Sequence, residues 1–138
     1  MSNKFLLGTF LLNLAFGTNP TSLFAHHGNA GFDTSKKVTL KGTVTQWTWS
    51  NPHCFIRLDA KDENGNIVHW LAEAENPAYL VSKGWTPRDL EVGEQITLVV
   101  TPNKNGTPLG RVWMVILPNG KQLNSSATDP PAPTASTN

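Results

Sequence analysis

Hydrophobic and polar residues alternate along residues 38–49 and 53–60, and a two-residue period is typical of half-buried β-strands. Three further strand-like stretches, bounded by turn signals, cover residues 66–74, 95–101 and 110–117. In the first of the five stretches, Val38, Leu40 and Val44 share one face, while threonine and lysine side chains share the other. The pattern therefore predicts a mainly β domain built from five strands.

The first stretch contains two breaks in its alternation. Gly42 interrupts the apolar face, and a glycine at such a position is typical of a sharply bent barrel strand. Further on, Trp47 and Trp49 fall on what had been the polar face. This change of phase indicates either a bulge near Gln46 or a strand that passes from one side of the structure to the other.

The segment Asp62-Glu63-Asn64-Gly65 is the strongest hairpin signal in the chain. We prefer the register that buries the apolar residues of both strands together, since a slip of one residue would invert every face. Its inner face carries Cys54, Ile56, Leu58, Val68, Trp70, Ala72 and Ala74. Its outer face sets His69, Leu71, Glu73 and Glu75 beside Asp59, Arg57, Phe55 and His53.

A short helix is predicted between the third and fourth strands. Asn76 can cap it, Pro77 suits its first position and Gly84 suits the residue just after its end. Five strands with one helix in this place follow the order of a small OB-like Greek-key barrel. A lipocalin-like or immunoglobulin-like fold would need more strands and no helix there.

The two ends of the chain differ from the predicted barrel at 38–123. Residues 1–25 have the layout of a signal peptide, with Lys4, an apolar run and a small residue, Ala25, at the cleavage point. A membrane anchor is the alternative, but the apolar run is short for a bilayer. We therefore expect a periplasmic or secreted protein without stable membrane insertion after cleavage. Residues 26–37 form an N-terminal arm, and 124–138, rich in Ser, Thr, Ala and Pro, form a disordered tail.

Charge and cysteine content exclude some classes of function. Removal of residues 1–25 takes only Lys4 from the 11 basic residues and leaves a formal charge of zero. This balance argues against nucleic-acid binding, which needs a basic surface. A single cysteine, Cys54, allows no internal disulfide. We interpret it as a small buried hydrophobic residue rather than as a reactive thiol or a metal ligand.

The histidines near the cleavage point are the candidate metal ligands. Cleavage after Ala25 would give His26 a free α-amino group beside its imidazole, and copper binds such nitrogen pairs most strongly among the divalent first-row ions. His27 or His53 would complete the set, with Glu75 as an outer partner. The alternatives are an arm that binds no metal for a purpose, and a His53 ring that satisfies turn backbone groups. A cut after Ala30 would remove both arm histidines.

The tryptophans offer a second kind of site. Trp47 and Trp49, with Arg57 on the neighbouring strand, would form a ligand face for a sugar or another flat apolar molecule if they are exposed. The alternative is that they fill the barrel. The sequence contains no nucleophile elbow, phosphate loop or dinucleotide fingerprint, so a catalytic site has no support from motifs.

Several short motifs resemble one family as a set. They include Ala25-His-His-Gly28, Leu40-Lys-Gly-Thr-Val44, Trp49-Ser-Asn-Pro-His53, Gly84-Trp-Thr86 and Leu117-Pro-Asn-Gly120. Together they resemble a family of secreted bacterial proteins catalogued as domain of unknown function 6152. The resemblance implies a bacterial, exported protein with a periplasmic or extracellular location, and it implies no established activity. Cys54 lies where relatives carry ordinary strand residues, which weakens a role for its thiol.

Three functions remain open from the sequence. The leading hypothesis is an exported, non-enzymatic binding module with a metal such as copper as its candidate ligand. The first rival is a small copper-dependent redox enzyme that uses the same N-terminal histidine. The second is a carbohydrate- or protein-interaction domain that uses exposed tryptophans and no metal. The sequence identifies neither the ligand nor a protein partner.

Overall fold

The structure is a computed structural model that describes residues 30–126. In chain order the elements are β1 (Val38–Thr48), β2 (Phe55–Lys61), β3 (Ile67–Glu73), α1 (Pro77–Ser82), β4 (Gln95–Pro102), β5 (Leu109–Ile116) and β6 (Gln122–Asn124). The five predicted strands are present, and the helix lies between the third and fourth as expected. The sixth strand was not predicted.

The sheet closes on itself and forms the predicted OB-like barrel. Its strands lie in the order β3-β2-β1-β4-β5-β6, and a parallel pairing of β3 with β5 completes the ring. The long strand β1 serves both halves, because Gly42 pairs with Ala60 of β2 and with Ile96 of β4. A Cβ atom at Gly42 would lie 2.3 Å from the Asp59 carbonyl oxygen, so only glycine allows this close approach.

A β-bulge in β1 explains the change of phase in the sequence. Val44 pairs with Leu58, whereas Gln46 pairs with Arg57, so one residue of β1 has no counterpart on β2. Beyond the bulge, Trp47 pairs with the buried Ile56 and shares its inward face. The bulge is thus the correct one of the two alternatives that the alternation left open.

The β2–β3 hairpin has the preferred register. Ile56 pairs with Ala72 and Leu58 with Trp70, so the apolar residues of both strands lie inside. In the turn, the Asp62 carboxylate accepts hydrogen bonds from the Asn64 and Asn66 backbone N–H groups at 2.9 and 2.8 Å. The pKa of Asp62 is lowered, most by the hydrogen bond from the Asn66 side-chain amide and to a smaller extent by these N–H groups.

The hydrophobic core fills the barrel, and α1 lies against it. The Asn76 side chain accepts a hydrogen bond from the Tyr79 N–H at 2.9 Å, and Gly84 follows the helix with a φ of 85°. Leu80 is the buried residue of α1. The largest fully buried side chains are Trp85, Ile56, Leu58, Leu80, Leu98 and Leu123.

The ends of the described region are attached to the barrel. In the arm, Phe32 is buried and forms a bridge with Asn103. At the other end, Asn124 belongs to β6 and Ser125 is buried, so these two residues of the predicted tail are part of the fold. Composition suggested disorder there, but backbone hydrogen bonds that composition does not reveal attach the segment, including Ser125 N–H to the Trp113 carbonyl. The predicted signal peptide at residues 1–25 and residues 127–138 lie outside the described residues.

Candidate ligand-binding face

The outward residues of β1, β2 and β3 form an open groove of about 270 Å³, which we call the Arg57 groove. The ladder sets Gln46 opposite Arg57, and Thr48 opposite Phe55, while Arg57 also faces Leu71 of β3. Because of the bulge, Gln46 and Thr48 point outward, and the Gln46 amide donates to the Thr48 hydroxyl at 3.1 Å. The groove thus combines a guanidinium, two polar side chains and two half-buried apolar ones.

Two histidine–carboxylate pairs flank the groove along the β2–β3 ladder. His53 Nδ1 contacts Glu73 Oε1 at one end, and His69 Nδ1 lies 2.6 Å from Asp59 Oδ1 at the other. These pairs engage the two carboxylates nearest to Arg57 on the ladder. Among the residues that the structure describes, Arg57 consequently has no ion pair and no hydrogen-bond partner for its side chain.

An unpaired guanidinium has a definite chemical use. Its planar fork matches a carboxylate or phosphate with two parallel hydrogen bonds, and it stays charged at any physiological pH. Phe55 and Leu71 beside it offer apolar contact area. The groove is therefore suited to a small anion that also carries an apolar part.

His53 is held in a defined orientation after a turn with a cis peptide between Asn51 and Pro52. The Ser50 hydroxyl donates to the His53 carbonyl at 3.1 Å, and Glu73 contacts the ring at Nδ1. With its side chain 39% exposed, the ring leaves Nε2 for a further partner. A carboxylate on one ring nitrogen is the usual arrangement behind a metal-ligating histidine.

Glu75, the expected outer partner of a metal site, is ion-paired. Its carboxylate accepts from Arg111 of β5 at 3.2 Å. Within residues 30–126, no group of three or more His, Cys, Asp or Glu side chains is arranged to hold a metal ion. His26 and His27 lie outside the described residues, so the copper set stays a prediction.

The expected aromatic ligand face has a different composition from the groove. Trp47 and Trp49 are half-buried, pack against the core and contact each other edge to face at 5.6 Å. Trp47 also lies 6.0 Å from Trp85, and its ring N–H donates to the Pro87 carbonyl at 3.0 Å. Arg57 alone of the three predicted residues lines the groove, with Phe55 as its aromatic side chain.

Cys54 and His69 are the remaining residues that the sequence analysis considered for chemistry. Cys54 is fully buried, burial raises the pKa of its thiol, and its Sγ lies 3.8 Å from the Ser50 carbonyl oxygen. These are the surroundings of an unreactive core thiol. His69 is a surface residue with a side chain that is 79% exposed.

Comparison with known proteins gives one match. A family model described as a family of unknown function (DUF6152) matches residues 15–112, which is more than half of the chain. No curated protein and no solved structure matches. In residues 30–126, no helix has the length and apolar character of a membrane span.

Proposed function

Since the chain belongs to this family of unknown function, we propose from its own residues that it is an exported, non-enzymatic binding module with its ligand in the Arg57 groove. The observation that carries the proposal is an exposed arginine left unpaired while the neighbouring carboxylates, Asp59 and Glu73, are engaged by histidines. A charge in such a setting is available to an anionic ligand.

The lining defines the chemistry of the ligand. Arg57 would hold a carboxylate or phosphate, while Phe55 and Leu71 would contact an apolar part of the same molecule. Gln46 and Thr48 supply an amide and a hydroxyl at the opposite side of the groove. A small organic acid with an apolar portion meets all three requirements.

The test is a titration with small-molecule fragments, in which NMR monitors the backbone amide signals of the protein. We expect aromatic and aliphatic carboxylic acids to shift the signals of Gln46, Thr48, Phe55 and Leu71, whereas the matched neutral amides do not. Arg57→Gln should abolish these shifts. Arg88→Gln, which removes the same charge at an exposed site outside the groove, should leave them unchanged.

The opposite result would also be clear. If the acids still shift the same signals in Arg57→Gln, the guanidinium does not hold them. If they shift only residues outside the Arg57 groove, the ligand binds elsewhere. Equal response to the acids and to their amides would remove the role of the guanidinium.

Export is the part of the proposal that depends on residues 1–25. Lys4, the apolar run and Ala25 support cleavage after Ala25. Mass spectrometry of the protein produced in its bacterial host should give a chain that begins at His26. A chain that retains residues 1–25 would contradict export by cleavage.

Copper binding is a second candidate function, supported by the Glu73 carboxylate on Nδ1 of His53. His26 and His27 would supply the other nitrogens, including the α-amino group. Calorimetry with Cu(II) on correctly processed protein should show binding that His26→Ala and His53→Ala both weaken. His69→Ala is the matched control, since this histidine also has a carboxylate on its ring.

The same titration separates the binding module from a redox enzyme. Equal heats for the processed protein and for His26→Ala would end the hypothesis of a copper site built on the N-terminal histidine. Peroxide formation by the copper-loaded protein with a reductant and oxygen would favour the enzyme over the binding module.

A further inference from the structure

A second groove lies on the outer surface where β1 bends, and we call it the lysine groove. It is an open depression of about 630 Å³ and does not share lining residues with the Arg57 groove. The strands β1, β2, β3 and β4 all contribute to it. Its lining residues are Thr39, Lys41, Gly42, Thr43, Asp59, Lys61, Ile67 and Gln95.

Two lysines lie side by side in this groove. Lys41 and Lys61 flank the paired residues Gly42 and Ala60 on adjacent strands. Both are exposed, and neither has an ion pair or a side-chain hydrogen bond with any residue in the described range 30–126. The only carboxylate of the lining, that of Asp59, is engaged by His69 at 2.6 Å. Like charges on neighbouring strands repel each other, so the lysines weaken the ladder rather than support it.

Gly42 of β1 allows β1 and β2 to approach closely next to the two lysines. The Asp59 carbonyl oxygen occupies the place that a Cβ of residue 42 would need, so β1 and β2 approach closely at this point. Lys41 and Lys61 extend from adjacent strands next to this close approach, and both line the groove. A ligand with negative charge would relieve their repulsion.

The rest of the lining is suited to hydroxyl groups and to a sugar ring. Thr39, Thr43 and Gln95 are polar, and the Gln95 amide donates to the Thr43 hydroxyl at 2.6 Å. Such paired amide and hydroxyl groups can exchange hydrogen bonds with a polyol. Ile67, which is 51% exposed, adds an apolar patch of the kind that the C–H face of a sugar can cover.

We propose that the lysine groove binds an acidic saccharide, with a uronate carboxylate at Lys41 and Lys61 and sugar hydroxyls at the polar side chains. This site is separate from the Arg57 groove and does not depend on it. A nucleic acid fits less well, because the groove has no aromatic side chain on which a base could stack. The formal charge, which is zero without residues 1–25, also gives a long polyanion little general attraction.

The experiment is a titration of the processed protein with a trimer of galacturonic acid. Calorimetry measures the affinity, and NMR identifies the residues at which the trimer binds. We expect binding with shifts at Thr39, Thr43, Lys61 and Gln95, and no binding of the neutral galactose trimer. The double variant Lys41→Gln/Lys61→Gln should weaken binding about tenfold, since two exposed ion pairs are lost.

A matched control removes the same charge elsewhere. The variant Lys83→Gln/Lys104→Gln changes two exposed lysines outside the groove and should leave the affinity unchanged. Because Lys41 and Lys61 are exposed, unpaired within residues 30–126 and repel each other, we expect their variant to unfold at a urea concentration no lower than that of the parent protein.

Four outcomes would overturn the proposal. These are no binding of the uronate trimer, equal binding of the neutral trimer, equal losses in both double variants, and equally tight binding of linear triphosphate at the same residues. The last would identify a general anion site rather than a saccharide site. Arg57→Gln should not change any of these titrations, so this result is independent of the Arg57 groove.

Discussion

The two sides of strand β2 differ sharply, although they alternate residue by residue. On the inner side, Ile56 and Leu58 are fully buried and pair with residues of β3 that also face the core. On the outer side, Arg57 is exposed, and Asp59 is held only by a histidine on the surface. One strand therefore contributes both to the packing of the barrel and to the lining of the Arg57 groove and the lysine groove.

This difference separates stability from binding. Burial of apolar side chains supplies most of the free energy of folding, whereas ion pairs at the surface contribute little. Outer residues can consequently be exchanged without unfolding the barrel. The outer side is thus free to bind a ligand. Arg57 and Lys61 of β2, and Lys41 of the neighbouring strand β1, have no ion pair and no side-chain hydrogen bond among the described residues.

The largest expected effect lies on the inner side. Leu58→Ala should lower the free energy of unfolding by about 3 kcal/mol, because it removes buried contacts and leaves a cavity. Urea unfolding followed by tryptophan fluorescence measures the change. Ile67→Ala, an apolar truncation at a side chain that is 51% exposed, is the control, with a change within about 0.5 kcal/mol. Similar losses in both variants would break the contrast between the two sides.

The close approach of β1 and β2 also limits the size of the side chain at residue 42, and a substitution of Gly42 tests this limit. Gly42→Ala should cost about 2 kcal/mol, because the new methyl group would meet the Asp59 carbonyl group, which belongs to the backbone and cannot rotate away. The control is Gly31→Ala, where nothing lies within 4 Å of the added Cβ. Comparison of the two urea midpoints measures the effect. A Gly42→Ala protein as stable as the parent would show that β1 and β2 can separate at the bend.

Alternation made the two sides of β2 and β3 predictable. A period of two residues, together with the turn at Asp62, selects one register, and that register places Arg57 and Leu71 outside. The misplaced tryptophans in the sequence indicated either a bulge or a change of side, and the ladder contains the bulge. These features are local, since each follows from residues within one hairpin or one strand.

Contacts between distant segments could not be predicted in the same way. Glu75 bonds to Arg111 only because β3 and β5 pair in parallel across the closure of the barrel. Likewise, the Trp85 ring N–H donates to the Asn124 carbonyl of β6 at 2.8 Å. Neither contact leaves a pattern in the sequence around it, so the partner of Glu75 and the sixth strand were both missed.

Asp89 is an ionisable residue that is neither fully buried nor on the open surface, with a side chain that is 11% exposed. Burial works to raise its pKa, but the Thr86 N–H and the Lys121 ammonium, which lies 3.0 Å away, outweigh burial and hold the pKa below the ordinary value of 3.8. The ionised form is therefore favoured by folding. Its contribution is present above pH 3.8 and is lost as the pH falls through the lowered pKa.

Asp89→Asn should thus reduce stability by about 1 kcal/mol at pH 7, with a smaller difference from the parent protein as the pH falls below about 4. Urea unfolding at a series of pH values measures this difference. Glu63→Gln, in the exposed β2–β3 turn, is the matched control for loss of one carboxylate charge. A gap between parent and Asp89→Asn that widens in acid would have the wrong sign for a lowered pKa.

The smallest effects belong to the two histidine–carboxylate pairs on the outer side. Double-mutant cycles with His53→Gln/Glu73→Gln and His69→Gln/Asp59→Asn should give coupling energies below about 1 kcal/mol. The His53 pair should couple more strongly, because its side chains are 39% and 24% exposed against 79% and 32% for the His69 pair. A coupling near the loss expected for Leu58→Ala would mean that the outer side also stabilises the barrel, and its residues would then be constrained by folding as well as by a ligand.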